Sequence, residues 1–166
     1  MRPILGIIVH HTASAVTTTP AQIEAWHQQR GISPPGGYHH MLWQDPATFR
    51  WEYAPIRTPA AVGAHDKGQN ADTIGVVVAG DYTKHRMDPQ AWSSLVQLVA
   101  SLCHTYDLAP EAVEGHRENE PASTPTACPG WDVAHLREAL VAVLARQPIP
   151  PHLLAGPPTD GAPGVS

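Results

Sequence analysis

The chain has 166 residues, 42% of them apolar, which is enough for one compact domain with a substantial core. A formal charge of -5 with histidine neutral excludes a general attraction to nucleic acid or to anionic membrane surfaces. Eleven histidines against ten lysines plus arginines is an excess of the side chain most used for metal binding and proton transfer near neutrality. The only two cysteines, Cys103 and Cys128, exclude a disulfide framework and suit a reducing environment.

Taken in chain order, the N-terminal stretch carries one arginine and a short apolar run, too short for a signal segment or a membrane span. Its Ile4–Val9 run is continuous rather than alternating, which predicts a strand buried on both faces that ends on His10 and His11. Thr19-Pro20-Ala21-Gln22 reads as a capping box with proline at the first helical position, and Gly31 as a stop, giving a helix from about Pro20 to Arg30. Tyr38–Trp43 and Phe49–Tyr53, separated by a polar turn, predict a strand pair, and Ile74–Ala79 another buried strand. Asp88-Pro89 opens a second helix whose Trp92, Leu95, Val96, Val99, Leu102, Cys103 and Tyr106 share one face. Val133, Leu136, Leu140, Val143 and Leu144 give a third, running to about Arg146. Strands alternating with helices make the class α/β. Residues 1–146 form the expected domain, and 147–166, rich in proline and glycine, a flexible tail. Trp26 and Trp92 are expected in the core.

Three segments each place a metal-ligand type at the end of an apolar run or beside a turn: Val9-His10-His11-Thr12, Gly115-His116-Arg117-Glu118 and Thr126-Ala127-Cys128-Pro129-Gly130. Zinc takes imidazole nitrogen and thiolate sulfur, and a catalytic site keeps three protein ligands with a fourth position open. Two histidines and one cysteine meet that requirement, although no compact spacing motif links them. Adjacent strand residues point to opposite faces, so only one of His10 and His11 reaches such a metal.

These segments, together with Gly37-Tyr38-His39, Val62–Asn70 and Thr73-Ile74-Gly75-Val76, occur in the order found in the type 2 N-acetylmuramoyl-L-alanine amidases, the fold of phage amidase lysozymes and peptidoglycan recognition proteins. The chain resembles that family over about residues 4–146. The resemblance implies a central mixed β-sheet flanked by about three α-helices. It implies one Zn2+ per chain held by His10, His116 and Cys128, with His10 selected over His11 by the motif. It also implies that Tyr38 assists the attacking water and that Thr126 fills a second catalytic position. His39, His65, Asn70 and Arg117 are candidate substrate contacts; the alternatives are bonding to backbone for the two histidines, a turn role for Asn70 and plain surface exposure for Arg117.

The substrate implied is bacterial peptidoglycan, cut between N-acetylmuramic acid and L-alanine, by a monomer. One departure from the family pattern is the longer interval between His116 and Cys128, whose insert Asn119–Thr124 is expected to bulge outward as a loop. A phage or prophage endolysin fits this organisation, made in the cytoplasm and released to the wall through a separate pore-forming protein. A recognition module that binds wall fragments without cutting them is the alternative. Members of that kind typically lack the thiolate, so Cys128 weighs for the enzyme. A protein-binding regulator is a third reading.

Overall fold

The six residues Gly6–His11 form strand β1, buried throughout. The reason is its place in the sheet: it pairs in parallel with β4 (Thr73–Val78) on one side and with β5 (Val113–Gly115) on the other. The computed structural model describes residues 2–119 and 125–159. On the far side of β4 lies β2 (His40–Gln44), also parallel, and β3 (Trp51–Pro55) folds back antiparallel to β2 to form the edge. The order β3-β2-β4-β1-β5 makes a mixed five-stranded sheet.

Helix α1 (Pro20–Gln29) begins on the expected capping box: the Gln22 amide donates to Thr19 Oγ1 at 3.3 Å, and the Thr19 amide to Gln22 Oε1 at 2.8 Å. Asp88 caps α2 (Pro89–Tyr106) through the amides of Gln90 and Ala91, and α3 spans Ala134–Leu144. Among the described residues no helix is long and apolar enough to cross a membrane.

The two faces of the sheet are covered unequally. Ile7, Val9, Val76 and Val78 meet Trp92, Leu95 and Val99 of α2 and Leu136 and Leu140 of α3, forming the main core. Each such side chain stabilises by about 1.5–3 kcal/mol on burial. The opposite face carries a small cluster, Ile23, Met41, Val77 and Ala79, with Tyr38 against it. Strand alternation therefore sends His11 to the side of the main core and His10 to the sparsely covered side.

Four expectations need correction. Trp26 is 38% exposed, because α1 buries Ile23 and His27 instead; Trp92 is in the core. Strand β5 went unpredicted, since three residues carry no periodic signal. Phe49, expected to start a strand, has a left-handed backbone and is exposed, and β3 begins at Trp51. The tail, expected as a flexible appendage, meets the domain at a short 3-10 turn, Pro151–Leu153, which places Leu153 in the main core, where Trp92 Nε1 donates to its carbonyl at 2.7 Å. Composition missed this because one buried leucine and one hydrogen bond suffice to dock a proline-rich segment. The remainder of the tail, 160–166, and most of the expected outward loop, 120–124, lie outside the described residues. Asn119, at the start of that loop, turns inward, donating to Asp66 Oδ1 at 2.6 Å.

Candidate metal centre

His10 stands on the sheet face opposite the main core, 1% exposed and paired across the sheet with Val77. His116 follows directly on β5, in a one-turn 3-10 helix that Glu118 braces: its carboxylate accepts from the Gly115 amide at 2.6 Å and from Arg137 Nη2 at 2.7 Å. Arg137 also donates from Nε to the Val113 carbonyl, so α3 ties down the strand that delivers His116. Cys128 arrives from the following loop, held by Arg117 N–H donating to its carbonyl at 2.8 Å and by its own amide donating to Thr126 Oγ1 at 3.1 Å.

One donor atom from each of His10, His116 and Cys128 lies within 4.8 Å of the others. The nitrogen that His10 turns to the sulfur is Nδ1, at 3.7 Å. A tetrahedral zinc site with Zn–S of about 2.3 Å and Zn–N of about 2.1 Å has an S···N edge of about 3.6 Å. The spacing therefore fits zinc, and the donor set of two imidazoles and one thiol is the one zinc accepts. The His11 amide donates to Cys128 Sγ at 3.3 Å, a bond that favours thiolate.

Burial dominates the electrostatics. It holds the His10 imidazole well below its ordinary pKa, helped by the neighbouring His65 and His116, so the ring is neutral and free to ligate. It lowers His116 against the opposing pull of Asp66. It pushes the Cys128 thiol up to about 12, with the His11 amide and Arg117 pulling the other way.

Tyr38 packs its ring 5.0 Å from that of His10 and 5.1 Å from His27, whose Nδ1 accepts the Gly37 amide at 2.8 Å. Its phenol is pushed up by burial and stays protonated. Thr126 lines a cleft of about 530 Å³ with Ala64, His65, Asp66, Lys67, Asn70, His116 and Pro125. Since Thr126 Oγ1 accepts from the Cys128 amide, its single O–H is left to donate elsewhere.

Residues 1–131 match the N-acetylmuramoyl-L-alanine amidase family. The chain belongs to it. The endolysin of Escherichia phage T7 is 32% identical over 139 residues, covering 77% of this chain and 82% of that one. Among solved structures, the N-acetylmuramoyl-L-alanine amidase LysC of Clostridium intestinale superposes with a TM-score of 0.65 at 29% identity, covering 78% of each chain. The Ph2119 endolysin, from a Thermus scotoductus bacteriophage, gives a TM-score of 0.65 at 25% identity over 82% of this chain and 86% of that one. The mixed five-stranded sheet with three helices is the amidase-family fold.

Within this amidase fold the remaining candidate residues separate by geometry. His39 is fully buried: Nδ1 accepts the Gly75 amide at 2.9 Å, and Nε2 lies 3.1 Å from both the Ala61 carbonyl and Arg2 Nη2, an arrangement in keeping with the backbone-bonding alternative. Asn70 borders the cleft, yet its Oδ1 is committed to the amides of His65 and Asp66 at 2.8 and 2.9 Å. Arg117 sits beside Cys128 and acts on its thiol charge. His65 lies in the cleft wall with Nδ1 3.2 Å from His10 Nε2. His11 accepts the Tyr82 amide on Nδ1 at 3.2 Å, on the core side. Cys103 and Cys128 are both free thiols, and Cys103 is an apolar-face residue of α2.

Sequence reasoning gave no role to Asp66, Lys67 or His27. Asp66 is 2% exposed and its Oδ1 lies 3.6 Å from His116 Nε2. An acidic residue in a polar turn carries no periodic signal, and only the fold brings it under His116.

Proposed function

We propose that this protein is a zinc-dependent N-acetylmuramoyl-L-alanine amidase that hydrolyses the bond between the lactyl group of N-acetylmuramic acid and L-alanine in peptidoglycan, acting as a phage or prophage endolysin. The observation that carries the reading is the convergence of His10, His116 and Cys128 on one point beside an open cleft. The likeness to the T7 endolysin and to LysC supports the reaction and its setting.

His10, His116 and Cys128 would hold the zinc, which when bound would supply Lewis acidity, lowering the pKa of water toward about 7 and polarising an amide carbonyl. The chain's own groups do the rest. Tyr38, kept protonated by burial beside His10, is a hydrogen-bond donor toward the oxyanion that develops as the amide carbon turns tetrahedral. The Thr126 hydroxyl, its acceptor side occupied by the Cys128 amide, is a second donor, on the cleft wall. Each such donor contributes on the order of 3 kcal/mol to transition-state stabilisation. Lys67 on the cleft wall would offer positive charge to a stem peptide's carboxylates.

The test is release of stem peptides from purified peptidoglycan by zinc-loaded protein, read by mass spectrometry, alongside metal analysis. One zinc per chain, with both zinc and peptide release lost in His116→Ala, is the expected result. No release from walls of several stem-peptide types would overturn the reading. Cys128→Ser distinguishes it from a pure binding module: hydrolysis should vanish while wall binding persists.

A further inference from the structure

We propose that the consecutive residues His65 and Asp66 are the positioning pair of the metal centre, His65 holding His10 and Asp66 holding His116 from behind. The proposal rests on the zinc reading above and assigns residues outside the ligand set. Each histidine ligand has one ring nitrogen for the metal and one for the protein, and the protein-side partner fixes the tautomer and the ring's aim. In His10 the nitrogen facing Cys128 is Nδ1, which leaves Nε2 for His65 Nδ1 at 3.2 Å. With a metal on Nδ1, the His10 proton would sit on Nε2 and be donated to His65 Nδ1, the His65 ring then carrying its own proton on the buried Nε2.

The His65 ring is clamped. A Cβ on Gly75 would come within 2.5 Å of its Cγ, and one on Gly63 within 2.7 Å of its Cδ2, so both glycines are needed to seat it. The ring of His39 closes the third side, edge-on at 5.4 Å.

Asp66 meets the other ligand. Its Oδ1 is 3.6 Å from His116 Nε2 and accepts from Asn119 Nδ2 at 2.6 Å, while Oδ2 is buried without a hydrogen-bond partner among the described residues. A buried carboxylate oxygen with no donor is costly. If Nδ1 of His116 were the metal-side nitrogen, its proton would sit on Nε2, and a small approach of the ring would give Asp66 Oδ1 a second donor beside Asn119. Both side chains leave one short turn, whose two leading amides are tied to Asn70 Oδ1. One turn thus sets the aim of two ligands whose strands, β1 and β5, are adjacent in the sheet.

The experiment measures zinc affinity by chelator competition and the cobalt(II) visible spectrum for wild type, His65→Leu, Asp66→Ala and the acceptor-keeping variants His65→Gln and Asp66→Asn, with metal-free melting temperatures alongside. Affinity should fall about 10- to 100-fold in the first two, as expected on loss of an outer partner. It should recover most of the way in the second two, and the cobalt bands should shift and weaken in parallel. Wild-type-like affinity in folded His65→Leu and Asp66→Ala overturns the proposal while leaving the zinc reading intact. So does an equal loss in the acceptor-keeping variants. A wild-type chain that takes no metal overturns both.

Discussion

Replacing Leu153 by alanine tests whether the proline-rich C-terminal segment belongs to the fold. The side chain is fully buried in the main core, and the residue's hydrogen bonds are made by its backbone: the carbonyl accepts from Trp92 Nε1 at 2.7 Å and the amide donates to the Pro150 carbonyl at 2.9 Å. Alanine keeps that carbonyl, so the loss is one of packing alone. A buried Leu→Ala change costs about 2–5 kcal/mol, the upper end where the site does not collapse. A segment entering the core from the chain's periphery can close partly over the gap, which places the cost near 3 kcal/mol. For a chain of this size about 1 kcal/mol moves Tm by about 2–4 °C, so the variant should melt about 6–12 °C lower. Circular-dichroism melts of both proteins in chelator measure this without any contribution from metal. Zinc affinity should stay within about twofold, because His10 lies on the other face of the sheet. A Tm change below about 2 °C would refute the packing and restore the flexible tail that composition suggested.

Other outcomes follow from the centre itself. With burial keeping His10 and His116 neutral and the Cys128 thiol protonated, zinc must displace one proton, that of Cys128. Proton release means tighter binding at higher pH, about tenfold from about pH 6 to about pH 7. Calorimetry in two buffers of different ionisation enthalpy should count close to one proton, and a count of zero or two would contradict the assignment. Tyr38→Phe should lower kcat about 100-fold with zinc affinity unchanged, measured by peptide release and chelator competition. Glu118→Ala removes the brace shared by the Gly115 amide and Arg137, and should cost about 1–2 kcal/mol in urea unfolding, reduced by the partial exposure of that pair. Gly75→Ala should weaken zinc binding about as much as His65→Leu, because its methyl displaces the same ring.

How much of this was legible in the sequence depends on range. The capping box at Thr19 and the helical face of α2 are local patterns, and both formed where their spacing placed them. The candidate ligands His10, His116 and Cys128 were readable because each sits within a short motif, and the family resemblance supplied what spacing could not, their grouping. Asp66 and Asn119 were not readable as partners: they are 53 residues apart, and neither residue type is unusual in a turn. His39 was readable only as one of two alternatives, and its bond from the Gly75 amide is one that local sequence does not announce. Trp26 misled because helical periodicity marks a face without saying whether anything covers it.

The position of β1 between β4 and β5 bears on how the chain is made. Its apolar residues Ile7–Val9 leave the ribosome ahead of their partners Ile74–Val76 and Val113–Gly115, which follow after roughly seventy and one hundred further residues. Closure of such distant pairs is slow compared with local structure. Until then the strand that carries His10 has both edges and both faces bare, a segment on which a holding chaperone, or another nascent copy, could settle. A stalled chain ending before Thr73 should therefore be found in the insoluble fraction, while one that includes β5 and α3 has every neighbour its first strand needs.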